Sequence, residues 1–316
     1  MSSALLIAIQ GWDVAPWVER FRERAAGRDI RVWPDSVGNP EDIAYAAAWK
    51  PPHGLLREFP NLKAVFSLGA GVDHLTGDVT LPGVPVARIV DRDLTHRMTE
   101  YVVMHTLMFH RKQRIYDKQQ REKVWYEHEQ ASAKDVAVGI MGLGELGQDA
   151  MSALRWIGFD VAGWSRTPKE IDGVQTFHGA VGLNAFLMRT EILVALLPHT
   201  PATEGILNMP LFRKLKRKGA AGGAYLINAG RGKLQVDKDI LNALDEGVLA
   251  GAALDVFPTE PLPATSPLWT HPKVSISPHN AAVSDPKALV DNVLQQIENY
   301  EAGLPLENVI DRAAGD

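Results

Sequence analysis

Apolar and polar positions along this chain follow two rhythms in turn. Short apolar runs, which read as strands, alternate with longer stretches of helical period. SALLIAIQ (3–10) reads as a first strand, and DVAPWVERFRERAAG (13–27) as a helix opening on an Asp cap. DIRVWPD, DIAYAAAW, LKAVFSLGAG and VPVARIV predict four more strands. RMTEYVVMHTLMFHRKQRIYDKQQREKVW (97–125) has neither Gly nor Pro and predicts one long helix. Strands resume at DVAVGIM (135–141) and continue through FDVAGWS, EILVALLP, AYLINAG, LAGAALDVF and KVSISP. DPKALVDNVLQQIENYEAG (285–303) is a last helix. Repeated β–α alternation predicts parallel sheets covered by helices. The long helix reads as a bridge between two doubly wound α/β domains, with the last helix returning to the first. The boundaries expected are 1–96 plus 286–316 for one domain and 97–285 for the other.

Length and composition agree with that plan. A chain of 316 residues suits two domains of about 150 residues each. Hydrophobic content of 46% with 22% charged residues is that of an ordinary globular protein. No apolar run reaches the about 18 residues that a membrane span needs, and the N-terminus lacks a basic n-region and a cleavage site. The absence of cysteine excludes disulfides, thiolate catalysis and cysteine-bound metal, and favours the cytoplasm. His105 and His110 are poorly spaced for a zinc site, so no metal is expected. A net charge of −5 gives no general attraction for nucleic acid, so an anionic ligand must be captured by local groups.

The sharpest motif is G-x-G-x-x-G at Gly142, Gly144 and Gly147, with Glu145 and Leu146 between the last two. It follows a predicted strand and opens a predicted helix. The first glycine permits the tight turn, the second admits a pyrophosphate to the backbone, and the third allows close helix–sheet packing. The helix N-terminus then offers N–H groups to the anion. About 20 residues on, where an NAD-binding fold carries an acid for the ribose 2′-OH, this chain has Ser165, Arg166 and Thr167, followed by Lys169. An acid repels a 2′-phosphate, whereas hydroxyls and a guanidinium bind one. The expected cofactor is therefore NADP(H).

GLGELG, INAGRG (227–232), ALDVFPTEPLP (253–263) and SPHNAA (277–282), in this order and spacing, resemble the D-isomer-specific 2-hydroxyacid dehydrogenases over nearly the whole chain. AAAWKPP (46–52), LKAVFSLGAGVDHL (62–75) and GWSRT (163–167) resemble the glyoxylate/hydroxypyruvate reductase A branch of that family. The resemblance implies two Rossmann-like or flavodoxin-like domains, an active site in the interdomain cleft, a homodimer, and reduction of a short 2-oxo acid. It also implies roles. His279 is the general acid that protonates the carbonyl oxygen, and Glu260 is its partner; a carboxylate beside an imidazole favours the protonated ring. Six prolines between 258 and 278 stiffen that segment. Arg231 follows a strand at the end where open α/β sheets bind ligands, and the family uses it to hold the substrate carboxylate and polarise the carbonyl.

By the same resemblance, the turn at Ala70 and Gly71 supplies backbone N–H groups for that carboxylate. Trp49 stands where the branch places a tryptophan over the substrate. Leu197, Pro198, Ala229 and Gly230 line the cofactor by resemblance, and Asp255 lies near the nicotinamide without transferring the proton. His199 is a spectator. Arg92, His96, Arg97 and Met98 open the bridging helix where many members have a shorter, less charged turn, and their facing is not legible. The rival readings are a reductase for larger 2-oxo acids and a cofactor-sensing protein like the dehydrogenase-related corepressors.

Overall fold

Runs such as ALLIAI and AVGIM become strands buried along their whole length, as parallel strands covered on both faces must be. The computed structural model describes residues 3–312. The chain divides into two units, Met1–Leu94 with Ser284–Asp316, and Thr95–Val283.

In the first unit, β1 (Ala4–Ile9), β2 (Ile30–Val32), β3 (Ile43–Trp49), β4 (Ala64–Ser67) and β5 (Val86–Arg88) form a parallel sheet in the order β2-β1-β3-β4-β5. Helix α1 (Ala15–Arg24) follows β1, and α2 (Asp73–Thr76) follows β4. The expected Asp cap sits one residue early: Val14 is the cap position, and the Asp13 carboxylate accepts the Ala15 N–H at 3.0 Å.

Helix α3 (Arg92–His110) carries the chain across the boundary into the second unit. The single helix expected over 97–125 is in fact two. Lys112 adopts a left-handed conformation, φ 54°, before α4 (Gln113–Glu122), and Lys123 ends that helix with φ 56°. No Gly or Pro marks the break. Arg114 donates instead to Ser275 Oγ and the Pro272 carbonyl, so a tertiary contact anchors the new direction.

The second unit holds β6 (Ala137–Met141), α5 (Glu145–Ile157), β7 (Asp160–Ser165), β8 (Gln175–His178), α6 (Gly179–Arg189), β9 (Ile192–Ala195), α7 (Met209–Phe212), β10 (Tyr225–Asn228), α8 (Asp237–Asp245), β11 (Gly251–Leu254) and β12 (Val274–Ile276). Its sheet is also parallel, in the order β12-β11-β10-β9-β6-β7-β8. Alternate residues feed opposite cores: Leu193 and Ala195 pack with Phe186, Leu226 and Ile240, while Ile192 and Val194 pack with Ala150, Leu154 and Val102. The sequence pattern misses β8, a short edge strand with exposed ends.

Helix α9 (Pro286–Glu301) then completes the first unit. Its Asp285 cap accepts the Lys287 N–H at 2.9 Å. Leu289, Val290, Val293 and Ile297 are fully buried against Trp17, Phe21 and β1. Truncating a side chain buried like Ile297 to Ala costs about 2–5 kcal/mol. Among the described residues no helix is long and apolar enough to cross a membrane.

Candidate active site

The residues singled out for chemistry lie at the C-terminal ends of parallel strands. Trp49 ends β3, and the turn at 69–71 follows β4. In the second unit the glycine loop follows β6, Ser165 ends β7, Leu197 and Pro198 follow β9, Ala229 to Arg231 follow β10, Asp255 follows β11 and His279 follows β12. That edge is where open α/β sheets bind ligands. In the larger sheet the glycine loop also stands at the point where strand order reverses, between β6 and β9.

His279 and Glu260 come together. The imidazole Nδ1 lies 2.7 Å from Glu260 Oε2, and the other carboxylate oxygen accepts the Phe257 N–H at 3.0 Å. A carboxylate accepts, so Nδ1 is the donor and Nε2 is the ring atom left for chemistry. Both side chains remain partly exposed, at 36% and 27%.

The backbone of His279 is left-handed, φ 53°, which for a residue other than glycine costs on the order of 1–3 kcal/mol. Asp255 holds it there. Its carbonyl accepts the His279 N–H at 2.8 Å. Its buried carboxylate accepts Ser277 Oγ–H at 2.6 Å and the N–H groups of Asn280 and Ala281, each at 3.0 Å. Asp255 thus fixes the loop that carries the histidine.

Arg231 follows β10, and its Nη1 donates to the Gly230 carbonyl at 2.7 Å. Its loop is built on Asn228, which is fully buried. The Asn228 amide donates to the Arg231 carbonyl and to Gln235 Oε1, and its oxygen accepts the Gly230 N–H.

The glycine loop has the geometry its spacing predicts. Gly142 has φ 105°, and a Cβ on Gly147 would strike the Gly142 carbonyl. A Cβ on Gly144 would meet nothing within 4 Å, so the backbone there faces open space. Gly144 caps α5 without a side-chain hydrogen bond, and the N–H groups of Glu145, Leu146 and Gly147 form its first turn. These features fit a dinucleotide pyrophosphate. After β7 the Ser165 hydroxyl donates to the Thr167 carbonyl at 2.8 Å and shapes the turn, with Arg166 and Thr167 exposed beside it. Lys169 Nζ donates to the Leu143 carbonyl at 2.8 Å, tying this turn to the glycine loop.

In the first unit Trp49 is 8% exposed, so little of its ring is left for a ligand. It stacks on Trp12 with centroids 4.2 Å apart and meets His74 at 4.6 Å. A Cβ on Gly69 would collide with the same ring. Ser67 Oγ lies 3.0 Å from the Gly69 and Gly71 carbonyls and braces the turn that presents Ala70 and Gly71.

The residues at the start of α3 now have a facing. Arg92, His96 and Arg97 are exposed, and Met98 is buried in the core with Tyr101. His199 lies 3.5 Å from Glu204. Among the described residues no group of three or more His, Cys, Asp or Glu side chains is arranged to hold a metal ion.

A family model described as the NAD binding domain of D-isomer specific 2-hydroxyacid dehydrogenases matches residues 103–281. The chain belongs to that family. Glyoxylate/hydroxypyruvate reductase A of Yersinia enterocolitica is 40% identical over 310 residues, covering 96% of this chain and 97% of that protein. The NADPH-dependent glyoxylate/hydroxypyruvate reductase of Sinorhizobium meliloti, solved with NADP and sulfate, is 46% identical and superposes with a TM-score of 0.94 over 99% of this chain and all of that one. A family member from Xanthobacter autotrophicus Py2, solved with NADPH and MES, is 39% identical with a TM-score of 0.93 and full coverage of both chains.

Within this family fold, sequence reasoning overlooked Asn228, Ser277 and Tyr101. Asn228 and Ser277 lie inside the motifs INAGRG and SPHNAA, which was a usable signal. Tyr101 lies far away in sequence on α3, and only the folded chain brings its hydroxyl to Ser277.

Proposed function

We propose that this protein is an NADPH-dependent reductase of glyoxylate and hydroxypyruvate, giving glycolate and D-glycerate. The observation that carries the reading is the 2.7 Å bond between His279 Nδ1 and Glu260 Oε2, which leaves Nε2 as the ring nitrogen available to a substrate. NADPH, when bound, supplies the hydride to C2 of the substrate. Glu260 orients the imidazole through Nδ1, and His279 Nε2 donates a proton to the carbonyl oxygen. Arg231 pairs with the substrate carboxylate and polarises the carbonyl, and the amides of Ala70 and Gly71 add hydrogen bonds to the same carboxylate. Trp49 limits substrate length. The glycine loop, Leu197, Pro198, Ala229 and Gly230 hold the dinucleotide, and Ser165, Arg166 and Thr167 meet its 2′-phosphate. In this scheme residues 1–96 and 286–316 serve the substrate, and 97–285 serve the cofactor and the proton.

A cytoplasmic homodimer belongs to the same proposal. Val124, Trp125 and Tyr126 are exposed at the end of α4, with Trp125 fully so, and a second copy would cover them.

Initial rates of glyoxylate and hydroxypyruvate reduction, with NADPH and NADH side by side, test the reading. Turnover strongly favouring NADPH is expected. Equal rates with NADH would overturn the 2′-phosphate site, and no turnover with either substrate would overturn the reductase assignment. His279→Ala is expected to lose about 10²–10⁴-fold in rate.

A further inference from the structure

Ser277 has one hydroxyl proton and two oxygen neighbours. Its Oγ lies 3.1 Å from the Tyr101 hydroxyl and 2.6 Å from Asp255 Oδ1. As a carboxylate, Asp255 can only accept, so the Ser277 proton goes to Asp255. The Tyr101 hydroxyl must then be the donor to Ser277. The chain therefore has one direction: Tyr101 O–H to Ser277 Oγ, Ser277 O–H to Asp255, with the peptide N–H groups of Asn280 and Ala281 closing on the same carboxylate. His279, with its left-handed backbone, lies between Ser277 and Asn280, and its own N–H is bound to the Asp255 carbonyl.

Tyr101 is well placed to fix this chain. It is 8% exposed, and its ring packs 4.4 Å from that of His105 on the same helix. It shares a core with Met98, Val102 and Ala281 of the histidine loop. Burial drives its phenol well above the ordinary tyrosine value, so the hydroxyl keeps its proton and remains a donor.

We propose that Tyr101 is a positioning residue for the reduction, setting the His279 loop through the hydroxyl of Ser277. The proposal rests on the reading of His279 as proton donor. With the Tyr101 oxygen removed, Ser277 keeps its bond to Asp255 but loses its second partner, and the hydrogen-bonded tie between α3 and the loop is cut. A small misplacement of a proton donor slows the chemical step more than it weakens cofactor binding.

The test uses the full chain with Tyr101→Phe, Ser277→Ala, the double variant and Ser277→Thr. The readouts are kcat, KM for glyoxylate, NADPH affinity by fluorescence titration, and Tm. Tyr101→Phe and Ser277→Ala are each expected to lower kcat about 3- to 10-fold while NADPH affinity stays within about twofold. The double variant is expected to be no slower than Ser277→Ala, because both changes break one chain of hydrogen bonds. Ser277→Thr keeps the hydroxyl and should recover most of the loss.

An unchanged kcat in Tyr101→Phe would overturn the proposal. So would additive losses in the double variant, or losses of NADPH affinity and Tm in step with kcat. If Tyr101→Phe does not fold, the contrast between Ser277→Ala and Ser277→Thr tests the hydroxyl through which Tyr101 acts, and equal rates in those two variants overturn the role. His279→Ala is measured alongside. Full turnover in that variant sinks the proton-donor reading, whereas its loss with an unaffected Tyr101→Phe sinks the positioning role alone.

Discussion

Glu260 holds His279 with one carboxylate oxygen and the Phe257 N–H with the other. The acid is thus fixed by backbone before it fixes the imidazole, and its charge lies against Nδ1.

Glu260→Gln separates orientation from charge. The amide oxygen can still accept from the ring, but the negative charge beside a protonated imidazole is gone. Turnover of glyoxylate is expected to fall by about 10²-fold, with a smaller change in KM. Steady-state kinetics at neutral pH check this, and a rate equal to the parent's would remove the electrostatic role.

Cofactor choice should depend on Arg166. In the proposed cofactor site its loss would delete a charge-assisted hydrogen bond to the 2′-phosphate, worth about 1.5–3 kcal/mol, or roughly 10- to 100-fold in NADPH affinity. Arg166→Ala should raise KM for NADPH by that factor and leave KM for NADH nearly alone. Parallel titrations with the two cofactors decide it.

Gly69→Ala should displace Trp49. The added methyl overlaps a ring already pressed against Trp12 and His74. The expected cost is about 1–3 kcal/mol of stability, together with a higher KM for glyoxylate. Thermal unfolding and substrate titration read the two effects separately, and unchanged values in both would mean that the turn yields freely.

Acid should weaken the second unit through His105. Burial lowers its pKa from 6.5 to about 4, the nearby Arg114 pushes the same way, and Asp255 opposes them. The folded value is depressed, so the associated stability is present above pH 6.5 and is lost as pH falls toward 4. The full contribution is about 3 kcal/mol. Burial lowers His110 in the same direction. Urea unfolding at pH 7 and near pH 4.5 should show the loss, and His105→Phe should make the curve flatter. An equally steep acid loss in that variant would assign it elsewhere.

The strands were legible because each is a short apolar run, buried on both faces, and the order of loops after them could be read directly. The G-x-G-x-x-G motif was legible because a turn, an open approach and a close packing contact each demand glycine at one position. The break at Lys112 was not, since it depends on Arg114 reaching Ser275 across 161 positions of sequence. The role of Asp255 was half legible. Its place beside the histidine motif was plain, but three donors on one buried carboxylate are a property of the folded loop.

Helix α9 has a consequence for synthesis. The ribosome releases residues 1–94 before the second unit, yet one face of their sheet is sealed by Leu289, Val290, Val293 and Ile297, which emerge only after it. The first unit to be made is therefore the last to be finished. The second unit, continuous from Thr95 to Val283, has its whole sequence out of the tunnel before α9 arrives. Until α9 emerges, the nascent chain must carry an uncovered apolar sheet face, a time when surface of this kind is open to wrong partners.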